Sequence, residues 1–214
     1  MRIITNILIV FLILTGQSTF AQSKKSSEEI LKQVSEKTKS FSSILISFTY
    51  NMDNPSAKVH ESETGTLLVN GDQYRLDIAG QKVISDNKTV WTYIAEANEV
   101  QINAVEEDEN VLTPTRLLTS YSEDYKSKLA GENTKDGRGQ YVIELKPNAD
   151  KSFTRVELNI DKELFRITRI AIQDKSGNTF SYLVNKFEPN VTVKDNDFIF
   201  NQNDYPGVEV IDMR

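Results

Sequence analysis

Hydrophobic and polar positions change their period once, soon after the start of the chain. From Ser23 to Ser40 the sequence is rich in Lys, Glu and Ser, and Ile30, Leu31, Val34 and Phe41 recur at helical spacing. Ser26 or Ser27 stands ahead of Glu29, a capping arrangement, so the pattern predicts one amphipathic helix over about Ser27 to Ser40. After it the period becomes two: Ile44, Ile46, Phe48 and Tyr50 alternate with Leu45, Ser47 and Thr49. Strand-like stretches follow at short intervals, "GTLLV", "QYRLDIA", "KVISD", "TVWTYIA" and "EVQINAV". Turn signals separate them at Asn70-Gly71, Ala79-Gly80, Asp86-Asn87 and Ala97-Asn98. Connections this short predict an antiparallel meander.

The meander breaks once. After Glu106-Glu107-Asp108-Glu109-Asn110, Thr113 precedes Pro114, a helix start with proline at its first position. Leu117, Leu118 and Tyr121 then fall on one side of a short helix. Strands resume with "KSKLAG", "GQYVIELKP", "FTRVELNID", "FRITRIAIQD" and "TFSYLVNKFE", with hairpin turns at Asp136-Gly137 and Ser176-Gly177-Asn178. The tail from Asp197 is apolar enough to pack on the body. About ten or eleven strands with two or three helices make a mainly β, α+β domain, and a sheet that large curls. The expected picture is a trough covered by helices.

The first residues follow a different logic. Arg2 precedes an apolar run from Ile3 to Leu14, and Thr19-Phe20-Ala21 is a small-residue cleavage site. The run is too short to cross a bilayer of about 30 Å, so the order reads as a secretory signal peptide, residues 1–21, followed by a single domain, residues 22–214. With no cysteine in the chain, an exported domain must rely on its core rather than on disulfides, and a lipid-modified cysteine is excluded. The formal charge of −6 and the lack of a basic block exclude nucleic acid as an expected partner.

Reactive chemistry is sparse. His60 is the only histidine, and no thiol nucleophile, nucleophile elbow, phosphate loop or zinc motif occurs. Glu106 to Glu109 form a consecutive acidic run without calcium-loop spacing. No catalytic residue, metal or cofactor is expected. A hydrolase or a metal-binding domain on the same sheet remains an alternative, as does a module that binds or senses another envelope lipid. Trp91 and Tyr93 share a face, either in ordinary core or as the wall of an apolar cavity. Arg75, in mid-strand, admits three positions: the wet outer face beside Asp77, the rim with a snorkelling stem, or the concave face with acceptors around it. Pattern alone favours the first.

The order of these features resembles the LolA-like outer-membrane lipoprotein carrier proteins of Gram-negative bacteria. The similarity runs through the helix and "ISFTY", "GTLLVNGDQYRLDI", "VISDNKTVWTYIAEANEVQI", Pro114 with Leu117-Leu118, and the stretch from "FTRVELNID" to "GVEVI". The chain departs from the family at Asn70-Gly71-Asp72, where a proline is usual, and at Asn87, where glycine is common. Both suit turns, and both are compatible with a divergent lineage or a paralogue that carries another lipid. The resemblance implies an incomplete antiparallel β-barrel of about 11 strands with helices covering a hydrophobic cavity. It implies a periplasmic, monomeric carrier that takes acylated lipoproteins from an inner-membrane transporter to an outer-membrane acceptor. It also places Arg75 toward the lid as a gate, reversing the preference from pattern. Leu67, Val69, Tyr74, Leu76, Trp91 and Tyr93 become candidate cavity walls, and Leu117 and Leu118 candidate lid residues.

Overall fold

The computed structural model describes residues 25–105, 115 and 125–214. The signal segment, the acidic run Glu106–Asn110, Pro114, Leu117 and Leu118 lie outside the described residues.

Helix α1 spans Ser27–Lys39. It begins at Ser26, whose hydroxyl accepts from the Glu29 backbone N–H (3.2 Å) while the Glu29 carboxylate accepts from the Ser26 N–H (3.0 Å). This reciprocal pair satisfies two donors that the first turn leaves free, typically worth about 1 kcal/mol. Glu28 and Glu29 sit in the first turn and Lys37 and Lys39 in the last, each at the end of the helix dipole that favours its charge. Ile30, Leu31 and Val34 are buried, and full burial of such side chains stabilises by about 1.5–3 kcal/mol each.

All the described strands join one sheet. They are β1 (Ile44–Asn54), β2 (Val59–Asn70), β3 (Gln73–Ile78), β4 (Gln81–Ser85), β5 (Thr89–Ile94), β6 (Glu99–Ala104), β7 (Tyr125–Lys135), β8 (Arg138–Pro147), β9 (Phe153–Asp161), β10 (Ile167–Asp174), β11 (Thr179–Pro189) and β12 (Glu209–Asp212). The spatial order is β12-β6-β5-β4-β3-β2-β1-β11-β10-β9-β8-β7. Strands β1 to β6 form one antiparallel meander and β7 to β11 a second, and the pairing of β1 with β11 fuses them. That pairing is extended past the strand ends: Ser43 Oγ donates to the Val191 carbonyl (2.6 Å), and the Asn190 N–H donates to the Ser43 carbonyl (2.7 Å).

The sheet bends around α1. The first turn of the helix reaches edge strand β7, where Ser127 Oγ donates to the Glu28 carboxylate (2.9 Å) and lies 2.9 Å from the Ser27 hydroxyl, which can donate to it. Its last turn shares a cleft with Val69 of β2. Six strand spacings separate β7 from β2, about 29 Å in a flat sheet, whereas the helix is only about 20 Å long. An open, curled sheet is what lets one helix touch both.

The hairpins follow their turn chemistry. Gly71 takes φ +59° between β2 and β3, and Asn87 takes φ +75° in the turn before β5. Asparagine tolerates that left-handed conformation better than most side chains. Asp86 Oδ1 closes the same turn by accepting from Lys88 and Thr89 N–H.

The C-terminal tail packs on the body as expected, with Phe198 and Val208 buried, but its form was not anticipated. It adds a twelfth strand, β12, which runs parallel to β6 rather than extending the antiparallel pattern. Two 3-10 turns, Asp195–Phe198 and Gln202–Asp204, precede it. The chain then returns along β6, bonding Glu209 N–H to Asn98 O and Met213 N–H to Ile102 O.

Gly65 marks a close approach. A Cβ there would run into the Phe48 ring and lie 2.8 Å from the Asp77 carbonyl. Gly65→Ala is expected to destabilise the fold by about 1–3 kcal/mol, as overpacking against backbone does. Chemical denaturation checks this, and an unchanged midpoint would contradict the packing.

Candidate functional site

Strand register decides which residues share a face, because directly opposed residues point the same way. Ile44 opposes Val69, Ile46 opposes Leu67, Val69 opposes Tyr74, and Leu67 opposes Leu76. These side chains face α1 in the main core, together with Ile143, Leu145, Val156, Leu158, Ile160 and Ile170 from the second meander. The inner face is therefore apolar from β3 through β8. Helix α1 covers only part of it. Tyr50, Leu76, Ile78, Val83, Ile172, Tyr182 and Val184 pack against the core and stay partly exposed.

Aromatic rings cross the junction of the two meanders on this inner face. Phe48 meets Tyr182 edge-on with centroids 5.8 Å apart, and Tyr182 meets Tyr50 at 5.4 Å. Burial raises the Tyr182 phenol above its ordinary pKa, with a smaller contribution from Tyr50. Tyr50 is raised by burial and then by Glu61, and Tyr74 by burial alone. A cleft of about 180 Å³ opens where α1 ends, lined by Phe41, Ile44, Val69, Gly71 and Thr115 among others.

The expected wall residues divide between the two faces. Leu67, Val69, Tyr74 and Leu76 are on the inner face. Trp91 and Tyr93 are not: Leu68, Arg75, Ile84, Trp91 and Ile102 form one row across β2 to β6 on the other side. Thr66, Asp77, Lys82, Tyr93 and Val100 form the row beside it. The placement of Trp91 and Tyr93 as walls of the same cavity is corrected accordingly. Arg75 is corrected with them. Alternation puts it opposite to Tyr74 and Leu76, on the face away from α1. There its Nε donates to Asp77 Oδ2 (3.0 Å), and Lys82 bonds the other Asp77 oxygen. This is the outer position that pattern alone favoured. Leu117 and Leu118 lie outside the described residues.

A second, smaller core covers that outer face, and sequence reasoning missed its specific members. Phe198, Ile84, Val100 and Val208 are buried apart from the main core. Tyr93 packs on Tyr205 at 4.3 Å and on Phe200 at 6.0 Å, and Phe200 stacks on Tyr205 at 4.7 Å. The Tyr205 phenol, raised first by burial, also feels the opposed charges of Arg75 and Asp77. The signal was available in the turn at Asn70-Gly71-Asp72, whose two loop residues are Gly71 and Asp72. It sets Leu68 against Arg75, and stepping across the next hairpins brings Trp91 to the same face. Ser47, Thr66, Asp77, Lys82, Tyr93 and Asn185 also line an open groove of about 640 Å³. Phe48, Ile78 and Ala95 border the same groove, so its lining mixes apolar and polar groups.

His60 pairs with Asp53 (2.5 Å) in an exposed position. Among the described residues no three His, Asp or Glu side chains group as a metal site would require. No described helix is long and apolar enough to cross a membrane.

The buried phenols make a pH prediction. A raised folded pKa means that stabilisation is complete below the unfolded tyrosine value, about 10, and is lost as pH rises through the folded value. Tyrosinate absorbance should rise in phases, with a late one above pH 10 to which Tyr50, Tyr74, Tyr182 and Tyr205 contribute and which is smaller by one phenol in Tyr182→Phe. A single phase at the ordinary value would contradict the burial.

Comparison with known proteins bears on this arrangement. The family model described as outer membrane lipoprotein carrier protein LolA matches residues 36–201. No curated protein matches the chain. Among solved structures, an uncharacterized conserved protein from Thermus thermophilus is similar with TM-score 0.59 and 14% identity, over 86% of this chain and 98% of that one. A LolA superfamily protein from Nitrosomonas europaea has TM-score 0.46 and 15% identity, over 83% and 99%. LprF from Mycobacterium bovis has TM-score 0.46 and 16% identity, over 78% and 95%. The family match spans the end of the helix, both meanders and the first part of the C-terminal segment, and the chain belongs to the outer membrane lipoprotein carrier protein LolA family.

Proposed function

We propose that the protein is an envelope carrier that holds the acyl chains of lipoproteins against the inner face of its sheet. One observation carries the reading: a continuous apolar inner face with partly exposed Leu76, Ile78, Val83, Ile172 and Tyr182 beside α1. Family membership supports it. Each methylene moved from water onto such a surface gains about 0.8 kcal/mol. Acyl chains therefore cannot cross an aqueous space unshielded at a useful rate, and a carrier must offer comparable burial and still let go.

The remaining parts of the role rest on the sequence, the export signal on the pattern of its first residues and the rest on the resemblance. Residues 1–21 act as the export signal, the mature chain begins at Gln22, and the carrier works in the periplasm as a monomer. It receives lipoprotein from an inner-membrane transporter and passes it to an outer-membrane acceptor. Leu117 and Leu118 act at the lid. Arg75 works from the outer face, where its ion pair with Asp77 lies under Tyr205 and helps to seat the C-terminal segment. A gate there acts through that segment and not by direct contact with cargo.

N-terminal sequencing of protein from the native envelope should read from Gln22, and a chain retaining Ile3 to Leu14 would overturn the export reading. Delipidated protein should bind a triacylated lipopeptide and release an environment-sensitive apolar dye. Leu76→Gln, on the inner face, should weaken lipopeptide binding about tenfold, the order expected when apolar contact gives way to a buried amide. Arg75→Leu should leave that binding within about twofold, because the outer face makes no acyl contact. Loss of binding in Arg75→Leu with normal binding in Leu76→Gln would reverse the assignment of faces.

A further inference from the structure

One of the described arginines is treated unlike the others. Among the described residues, Arg75, Arg138, Arg155, Arg169 and Arg214 each lie within ion-pair distance of a carboxylate. Arg166 does not, and its Nε is buried without any hydrogen-bond acceptor. Aromatic rings hold it instead. Its guanidinium carbon lies 4.5 Å from the centroid of Phe187 and 5.4 Å from that of Phe41, and the two rings meet edge-on at 5.8 Å. Lys37 Nζ stands 5.3 Å from the same Phe41 ring. Lys25 is nearby in the chain's packing, 4.5 Å over Phe165, the residue before Arg166.

The place matters as much as the charge. Phe187 opposes Ile46 across the β1–β11 pair, and both Phe41 and Phe187 pack against the main core. Phe41 also lines the cleft at the end of α1. Arg166 therefore stands at the rim of the apolar inner face. Rings on a guanidinium supply a favourable quadrupole contact, but they cannot accept its N–H groups. The cost of an unpaired donor falls on the sealed Nε; the terminal nitrogens are not among the buried unpaired atoms and are left to meet an acceptor from outside.

We propose that Arg166, with Lys37 at the same Phe41 ring, receives the anionic phosphate headgroup of an amphiphile whose chains lie on the inner face. This rests on the acyl-carrier reading above and adds a polar requirement to it. The Nε is sealed, so the terminal nitrogens meet the incoming oxygens. A planar guanidinium can offer two parallel donors to a phosphate, which a single ammonium cannot. Lys37 adds charge without fixed geometry. The rings keep the guanidinium oriented before the ligand comes, which lowers the ordering cost of binding.

Two chain-matched probes test it on delipidated protein: 1-oleoyl lysophosphatidic acid and 1-oleoyl glycerol, which differ in the phosphate. The phosphate-bearing probe should bind about tenfold more tightly, the order that charge-assisted hydrogen bonds supply. That preference should shrink as salt is raised. Arg166→Gln should reduce it to within about twofold and Lys37→Gln should reduce it in part. Binding of 1-oleoyl glycerol, unchanged in both variants, shows that the fold and the apolar face are intact. Equal binding of the two probes by the unaltered protein, or a preference that survives Arg166→Gln, would overturn the headgroup site and leave the carrier reading standing. Binding of neither probe would overturn both. Inorganic phosphate that binds alone as tightly as the lysophosphatidic acid, and is lost in Arg166→Gln, would make this a free-anion site and overturn the assignment to a lipid.

Discussion

The pairing of β1 with β11 is the contact on which the rest of the molecule depends. It runs from Ile44 against Pro189 to Asp53 against Thr179 and joins segments that are far apart in sequence. Without it the chain would hold two separate meanders, each with one apolar face open to water. With it the two faces become one continuous inner surface. A register shift between Ser47 and Phe48 leaves Asn185 as the extra residue on β11, and its side chain donates to Thr49 Oγ1 (2.9 Å). Such a bulge bends the strand and increases the local twist, at the place where the sheet must turn toward α1. Serine and asparagine then tie the end: Ser42 N–H donates to Asn190 Oδ1, 148 residues away (3.0 Å). Contacts this distant form slowly, because the loop must close before the pairing rewards it.

A sheet joined in this way has two faces with different duties. The inner face keeps an apolar surface that a single described helix does not fill. The outer face of β2 to β6 would be a second liability, since Ile84, Trp91, Tyr93, Val100 and Ile102 are too apolar to leave in water. The C-terminal segment answers it with Phe198, Phe200, Tyr205 and Val208, and β12 pairs the edge of β6. The opposite edge, β7, carries Lys126, Lys128 and Lys135, a charge pattern that discourages strand addition by another chain. Among the described residues, apolar surface is thus left partly exposed on the inner side and largely covered on the outer side of β2 to β6. That asymmetry favours binding within the trough over indiscriminate association.

Charge is arranged with the same economy. Most described arginines sit beside carboxylates on half-exposed strand faces, where each pair contributes little, about 0–1 kcal/mol. Their effect is to neutralise one another along the sheet. Arg166 is held by Phe41 and Phe187 at the rim of the inner face, with its charge unanswered. An ion that is neutralised by its own chain has nothing to offer a ligand, and an ion held by rings does.

Local features were legible in the chain itself. The capping pair at Ser26 and Glu29, the apolar stripe of α1, the alternation of eleven strands and the turns at Asn70-Gly71 and Asp86-Asn87 all depend on residues within a few positions of each other. The family resemblance, carried by the order of those same features, pointed to an open barrel around an apolar interior. The faces were a different matter. An alternating strand has two equivalent ways to present its side chains, and Trp91, Tyr93 and Arg75 could be assigned only by following register across successive hairpins. The parallel strand β12 and the outer core around Phe198 came from the tail folding back over β6, which no local periodicity encodes. The same holds for Arg166: a sequence shows the charge, but only the folded chain shows that Phe41 and Phe187 stand where other arginines of the sheet have a carboxylate. Short-range chemistry chose the elements; the long-range pairing of β1 with β11, and the return of the C-terminus, decided which surfaces they expose.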